Sequence, residues 1–312
     1  MKQRISETFS YRVKSEAEEG IVGRKKCDAC LIGLLMLSEL NPGGTLRFVT
    51  DSESCKELFV RLFTHACENE YAALETVIRS RGRVPRYIID IPSSDDVILA
   101  AKRLGASNLT SGQLFAAADR LSDKNFGSCI AGLFMACGSI ASPDKEYHLE
   151  FVPGNEKVCC WLIKSLEERM GIALKQTARA GKSILYIKDS EGIEDMLTLI
   201  GAPMSSLELM NVKVYKDIRN RANRATNCDT ANCERQNRSA ARQIAAIKRI
   251  ETSEGGLSML SDDLREVAEK RLLHPELNLS ELSMEFDPPL SKSGINHRLK
   301  RIEEIAEEVC KK

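Results

Sequence analysis

The sequence predicts an α+β fold in two parts. A duplicated αββαββα-type N-terminal domain with pseudo-twofold symmetry is followed by an all-α helix-turn-helix domain. Three observations carry this. The order helix, strand, helix, two strands, helix occurs twice in the first 206 residues, with Gly33 and Gly132, Phe48 and Phe151, and Gly105 and Gly201 each about a hundred residues apart; a fixed internal period is a fold-level signal. Two short helical patterns flank the breaker Asp287-Pro288-Pro289 near the C-terminus. Between repeat and C-terminus lies an arginine-rich run nearly without acids.

In chain order, Phe9–Glu18 is a short amphipathic helix pattern. Lys25–Glu39 is a strongly apolar helix stopped by Asn41-Pro42-Gly43-Gly44, a turn signal. Thr45–Thr50 reads as a strand, Ser52–Asn69 as a helix, Ala73–Ser80 and Val84–Ile91 as strands, and Ser93–Leu104 as a helix ending at Gly105. The second copy places a small-residue-rich helix at Phe126–Ser139, a strand at Tyr147–Val152 and a helix at Asn155–Met170. Two strands around Ala180-Gly181 and a helix over Ser190–Ile200 complete it. The halves should pack about a pseudo-twofold axis, with Ala131, Gly132 and Ala136 allowing close backbone approach at the seam.

The C-terminal patterns form a helix-turn-helix. Asn278 and Glu281 have capping-box spacing, with Leu279, Leu282 and Phe286 at helical spacing behind them. Ser291 or Ser293 caps the second helix, whose apolar stripe is Ile295, Leu299, Ile302 and Val309. Its start presents Lys292, Asn296, His297, Arg298, Lys300 and Arg301, while the acids Glu303, Glu304, Glu307 and Glu308 come later. Donors concentrated at a helix start suit entry into a major groove. The DNA-contacting candidates here are Ser280, Glu281, Ser291, Lys292, Ser293, Asn296, His297, Arg298, Lys300 and Arg301.

Charge is local. The chain has 45 basic and 45 acidic residues, yet Lys213–Arg249 alone holds ten Lys/Arg against Asp217, Asp229 and Glu234. Arg219, Arg221, Arg224, Arg235, Arg238 and Arg242 interleave with Asn223, Asn227 and Asn232, pairing phosphate-binding forks with amides that hydrogen-bond base edges. A solvated helix would interleave both signs. The expected organisation is an N-terminal helical arm (1–19), the duplicated domain (20–206, halves about 20–110 and 120–206), a basic helical linker (207–254) and the helix-turn-helix domain (255–312).

No stretch has the roughly 18 apolar residues of a membrane span, and the N-terminus lacks the apolar core of a signal peptide. Eleven cysteines in a chain of 312 residues without that signal read as reduced thiols, which places the protein in the cytoplasm. Cys27 and Cys30 could supply half a zinc site and Cys228 and Cys233 the other half; packing on the seam helix is the better reading, so no metal is expected. His65, His148, His274 and His297 are too scattered for a metal centre, and no Gly-rich phosphate loop is present. No cofactor or small-molecule substrate is expected.

The seam helices resemble the LAGLIDADG motif of homing endonucleases, through Ala131-Gly132-Leu133, Ala136 and Gly138, and more loosely through Leu31-Ile32-Gly33-Leu34. That resemblance implies an acid at the end of each motif, holding a divalent metal at the DNA backbone. The corresponding residues are Ser38 and Cys137, poor ligands for a hard cation. Glu39 lies one residue late, about 100° round a helix.

The chain as a whole resembles the WhiA regulators of bacterial cell division and sporulation. The matching stretches are YHLEF at 147–151, LIGA at 199–202, LELMNVKVYKDIRNRANRATNCDTAN at 207–232, AARQIAAIKRI at 240–250 and DPPLSKSGINHRLKRIEEIAE at 287–307. Phe9, Val13, Lys14 and Glu16 fit more weakly. The resemblance implies a degenerate homing-endonuclease fold joined to a helix-turn-helix like that of sigma factors. It also implies a nucleoid-associated transcription regulator in division, sporulation and chromosome segregation. Expected partners are promoter DNA and another transcription regulator or RNA polymerase. The alternatives are a protein-interaction scaffold with weak DNA binding and a metal-dependent DNA endonuclease.

Overall fold

The computed structural model describes residues 8–67, 74–78, 85–92 and 94–309; the basic turn expected between the strands around 79–84 lies outside them. The chain divides into two units, 1–216 and 217–312.

In the first unit, α1 (Phe9–Glu19) is capped by Thr8, whose side chain accepts from the Tyr11 N–H. The first half follows as α2 (Arg24–Leu35), β1 (Glu39–Leu40), β2 (Leu46–Thr50), α3 (Glu53–Cys67), β3 (Leu74–Ile78), β4 (Arg86–Ile91) and α4 (Ser94–Arg103). A helix with no counterpart, α5 (Ser111–Asp119), precedes the second half. That half comprises α6 (Asp123–Cys137), β5 (Gly138–Ile140), β6 (Leu149–Phe151), α7 (Glu156–Met170), β7 (Lys175–Arg179), β8 (Lys182–Ile187) and α8 (Ser190–Leu199).

Each half folds into a four-stranded antiparallel sheet with the same order, β1-β2-β4-β3 and β5-β6-β8-β7. Phe48 stands opposite Ile89 and Phe151 opposite Leu185, and all four point into the core. Alternation along β2 explains this: Leu46, Phe48 and Thr50 are buried while Arg47 and Val49 are exposed.

The seam is the packing of α2 against α6. A Cβ built on Gly33 would run into the Cys129 carbonyl oxygen, and one on Gly132 into that of Cys30. In each case the obstructing carbonyl lies three residues before the partner glycine, a reciprocity that a twofold arrangement demands. Both glycines are required because here backbone meets backbone.

The structure corrects three sequence expectations and adds one helix. The apolar helix expected over Lys25–Glu39 ends at Leu35; Glu39 instead pairs with Arg47 in the hairpin that closes through Asn41 N–H to the Thr45 carbonyl (2.9 Å). Ser139, expected in a helix, lies in β5. Helix α5 is additional to the duplicated pattern. Val309 is half-buried, and Ala306 completes the apolar stripe in its place.

One uninterrupted helix, α9 (Pro203–Glu251), runs through the linker region. In the second unit its C-terminal part packs through Ala246, Ile247 and Ile250 against α10 (Asp262–Leu273), α11 (Leu279–Leu282) and α12 (Lys292–Val309). Leu282, Phe286, Ile295, Leu299 and Ile302 fill this second core. The Asn278–Glu281 capping box is present on both sides: the Asn278 side chain accepts from Ser280 and Glu281, and the Glu281 carboxylate accepts from the Asn278 N–H. Ser291 is the residue that caps α12, accepting from Gly294 N–H at 3.0 Å.

Candidate nucleic-acid interface

Ser38 and Cys137 occupy the positions where a LAGLIDADG nuclease would hold its metal. Ser38 lies in the turn after α2, its hydroxyl buried without a hydrogen-bond partner among the described residues. Cys137 is the last residue of α6, and burial pushes its thiol up to about 12 against the opposing pull of Lys14. Lys14, from α1, donates to the Met135 carbonyl at 3.1 Å and lies over the Phe134 ring. Burial lowers its pKa as well. A neutral thiol, a neutral hydroxyl and a nearby ammonium are the wrong donor set for a divalent cation, which needs charged oxygen. Glu39 has left the helix for a strand. The residues do not fit a metal here. Among the described residues, no three His, Cys, Asp or Glu gather where they could hold one.

The cysteine pairs behave as packing or surface residues. Cys30 is buried in α2, its thiol pushed well up by burial, while Cys228 and Cys233 are exposed on α9.

The second unit holds the expected DNA-facing residues. On α12, Ser291, Lys292, Ser293, His297, Lys300 and Arg301 are exposed and Asn296 and Arg298 half-buried, while Ile295 and Leu299 anchor the opposite side. Two of the cations are already engaged: Arg298 pairs with Asp263 at 3.4 Å and Arg301 with Glu304 at 2.7 Å. Glu281 spends its carboxylate on the cap, whereas Ser280 is exposed. The start of α12 therefore combines a surface of hydroxyl, amide and imidazole groups with Lys292 and Lys300.

On α9, Arg219, Arg221, Asn223, Arg224, Asn227, Asn232, Arg235, Arg238 and Arg242 are all exposed. At about 100° per residue, Arg221, Arg224, Arg235, Arg238 and Arg242 fall within an arc of about 100°. Arg219 falls outside it. The five span a rise of about 32 Å, close to one turn of duplex at about 34 Å. The arc flanks the face that Gln243, Ile247 and Ile250 bury against the helix-turn-helix. Glu234 pairs with Arg238 at 3.1 Å and tempers the stripe locally. The sequence pattern exposes these arginines; their shared face needs the unbroken helix.

Buried Arg271 has no such signal. It is 2% exposed, and its Nε donates to Gln243 Oε1 at 3.0 Å and its Nη1 to the Leu277 carbonyl at 2.6 Å. It fixes the α10–α11 turn against α9. In sequence it looks like a last-turn cation beside Lys270.

Two family models match the chain: the WhiA LAGLIDADG-like domain over residues 126–219 and the WhiA C-terminal HTH domain over residues 222–306. The chain is 48% identical over 182 residues to the probable cell division protein WhiA of Clostridium novyi (strain NT), covering 58% of this chain and 57% of that protein. It is 45% identical over 182 residues to the protein of the same name from Clostridium acetobutylicum, again covering 57% of it. The matched stretch thus spans less than two thirds of these relatives. Among solved structures it is similar to full-length WhiA from Thermatoga maritima, at 27% identity and a TM-score of 0.56, covering 97% of this chain and 99% of that one.

Proposed function

Since the chain belongs to the WhiA family, we propose that it is a non-catalytic, sequence-specific DNA-binding regulator. It acts at promoters in the cell-division programme, in the cytoplasm on the nucleoid, alongside RNA polymerase or another regulator. One observation carries this reading: the five-arginine face of α9 flanks a helix-turn-helix whose second helix exposes its polar start. The arginines hold phosphates and the start of α12 reads base edges.

The test is duplex binding by the full chain across a salt series. Each neutralised phosphate contributes a slope of about −0.9 in log affinity against log salt. Replacing Arg221 and Arg224 together by alanine should make the slope shallower by nearly two such increments. A flat salt response in the wild type would sink the proposal.

Absence of catalysis rests on the donor set at Ser38 and Cys137. Supercoiled plasmid incubated with pure protein and magnesium or manganese should stay supercoiled. Nicking that disappears on changing Cys137 would contradict it. Cys137→Asp together with Ser38→Asp should not by itself create an efficient nuclease, because Lys14 remains beside the α6 position.

A further inference from the structure

We propose that the cavity between α9 and the α10–α11 turn binds one phosphate group, gripped by Arg271 and Arg235. The cavity measures about 190 Å³, and its lining includes Arg235, Asn237, Ser239, Arg271, Glu276 and Asn278.

Arg271 supplies the argument. Its guanidinium is buried in the second unit and meets only neutral acceptors: Gln243 Oε1 and the carbonyls of His274 and Leu277. No carboxylate lies within salt-bridge distance among the described residues. Glu276 attracts the guanidinium through space without a hydrogen bond, so the burial of its charge is only partly offset. Its Nη2 has no hydrogen-bond partner among the described residues, and the residue faces the cavity. That leaves the N–H donors of Nη2, which can reach a single oxyanion oxygen in the cavity.

The surroundings agree. Arg235 is exposed at the mouth, and its Nε is held by the Ala231 carbonyl at 3.2 Å. Ser239 Oγ accepts from Gln243, which leaves its O–H to donate. Asn278 Oδ1 caps α11, which leaves its amide nitrogen as a donor. The lining charges are two arginines against Glu276, itself 3.9 Å from His274. The net positive charge and the neutral donors suit a phosphate mono- or diester. The pocket shares Arg235 with the proposed DNA-binding face and rests on that reading only where the phosphate belongs to a duplex.

The test uses the full chain and inorganic phosphate, titrated calorimetrically against chloride at matched ionic strength. Wild type should give saturable phosphate binding. Arg235→Ala should weaken it about tenfold, the loss expected for one charge-assisted contact. Glu276→Gln should strengthen it several-fold, a gain that damage to the fold cannot produce. Both side chains are exposed, so both variants should fold. Arg271→Lys keeps the charge, loses the fork and should abolish binding; should it not fold, the other two variants decide. Phosphate binding that is absent, or equal in wild type, Arg235→Ala and Glu276→Gln, overturns the proposal.

Adding duplex identifies the source. If the occupant is a DNA phosphate, inorganic phosphate displaces duplex beyond the effect of chloride; if it is a free phosphate-bearing ligand, phosphate and duplex bind together. Either result supports the pocket. If no duplex binds while the phosphate titration holds, the pocket stands and the DNA-binding function falls.

Discussion

Gly132→Ala is expected to destabilise the N-terminal unit by about 3 kcal/mol or more, because overpacking against fixed backbone has no cheap relief. The added Cβ would collide with the Cys30 carbonyl and stand 3.2 Å from the Leu34 nitrogen. Both groups belong to α2, so neither can rotate aside; the helices must separate. Separation opens the seam, where Ile32, Leu133 and Ile130 are buried. Gly33→Ala should do the same from the other side, against Cys129 and Leu133. Gly112→Ala is the control. That glycine lies in α5 with nothing within 4 Å of a built Cβ, and alanine there should raise helix stability by up to about 1 kcal/mol. Thermal unfolding of the three variants decides. Equal midpoints for Gly132→Ala and wild type would show that the seam is not as close as described.

Asn296→Ala should cost about 1–3 kcal/mol of preference for a specific site while leaving binding to random duplex nearly unchanged. Asn296 is half-buried on the first turns of α12, with Ile295 and Leu299 fixing the helix beneath it. An amide so placed can pair with adenine in both donor and acceptor senses. Arg221→Ala with Arg224→Ala should weaken specific and random duplex alike, because exposed guanidiniums on a helix face act as charge. Titration on a preferred and a scrambled duplex at two salt concentrations separates these effects. Loss of discrimination in the arginine variant, with discrimination kept in the α12 variant, would reverse the roles.

Much of the fold was legible because the repeat is long and its breakers are strong. Gly105 and Gly201 both adopt left-handed backbone after a helix, and the hairpin glycines mark turns that only glycine takes easily. What was not legible depended on distant contacts. The end of α2 is invisible locally, since Met36 and Leu37 continue the apolar run and no proline intervenes before Pro42. The helix stops there because Glu39 and Leu40 pair with Arg47 and Leu46. Helix α5 lies outside the duplicated pattern, so matching the halves could not reveal it. In the candidate site, composition exposed the arginines and capping exposed the start of α11. Burial of Arg271 was hidden, because a Lys-Arg pair in a last helical turn reads as solvent-facing until α9 packs across it.

In the proposed function, α12 reads sequence and the α9 arginines hold the backbone. Selection from a random duplex pool, using the 312-residue chain and sequencing the recovered DNA, tests it without assuming any binding site. Wild type should enrich one motif, Asn296→Ala should recover similar amounts of DNA with that motif lost or altered, and the arginine pair should recover less DNA bearing the same motif. An unchanged motif from Asn296→Ala, or no enriched motif from wild type, would contradict the account.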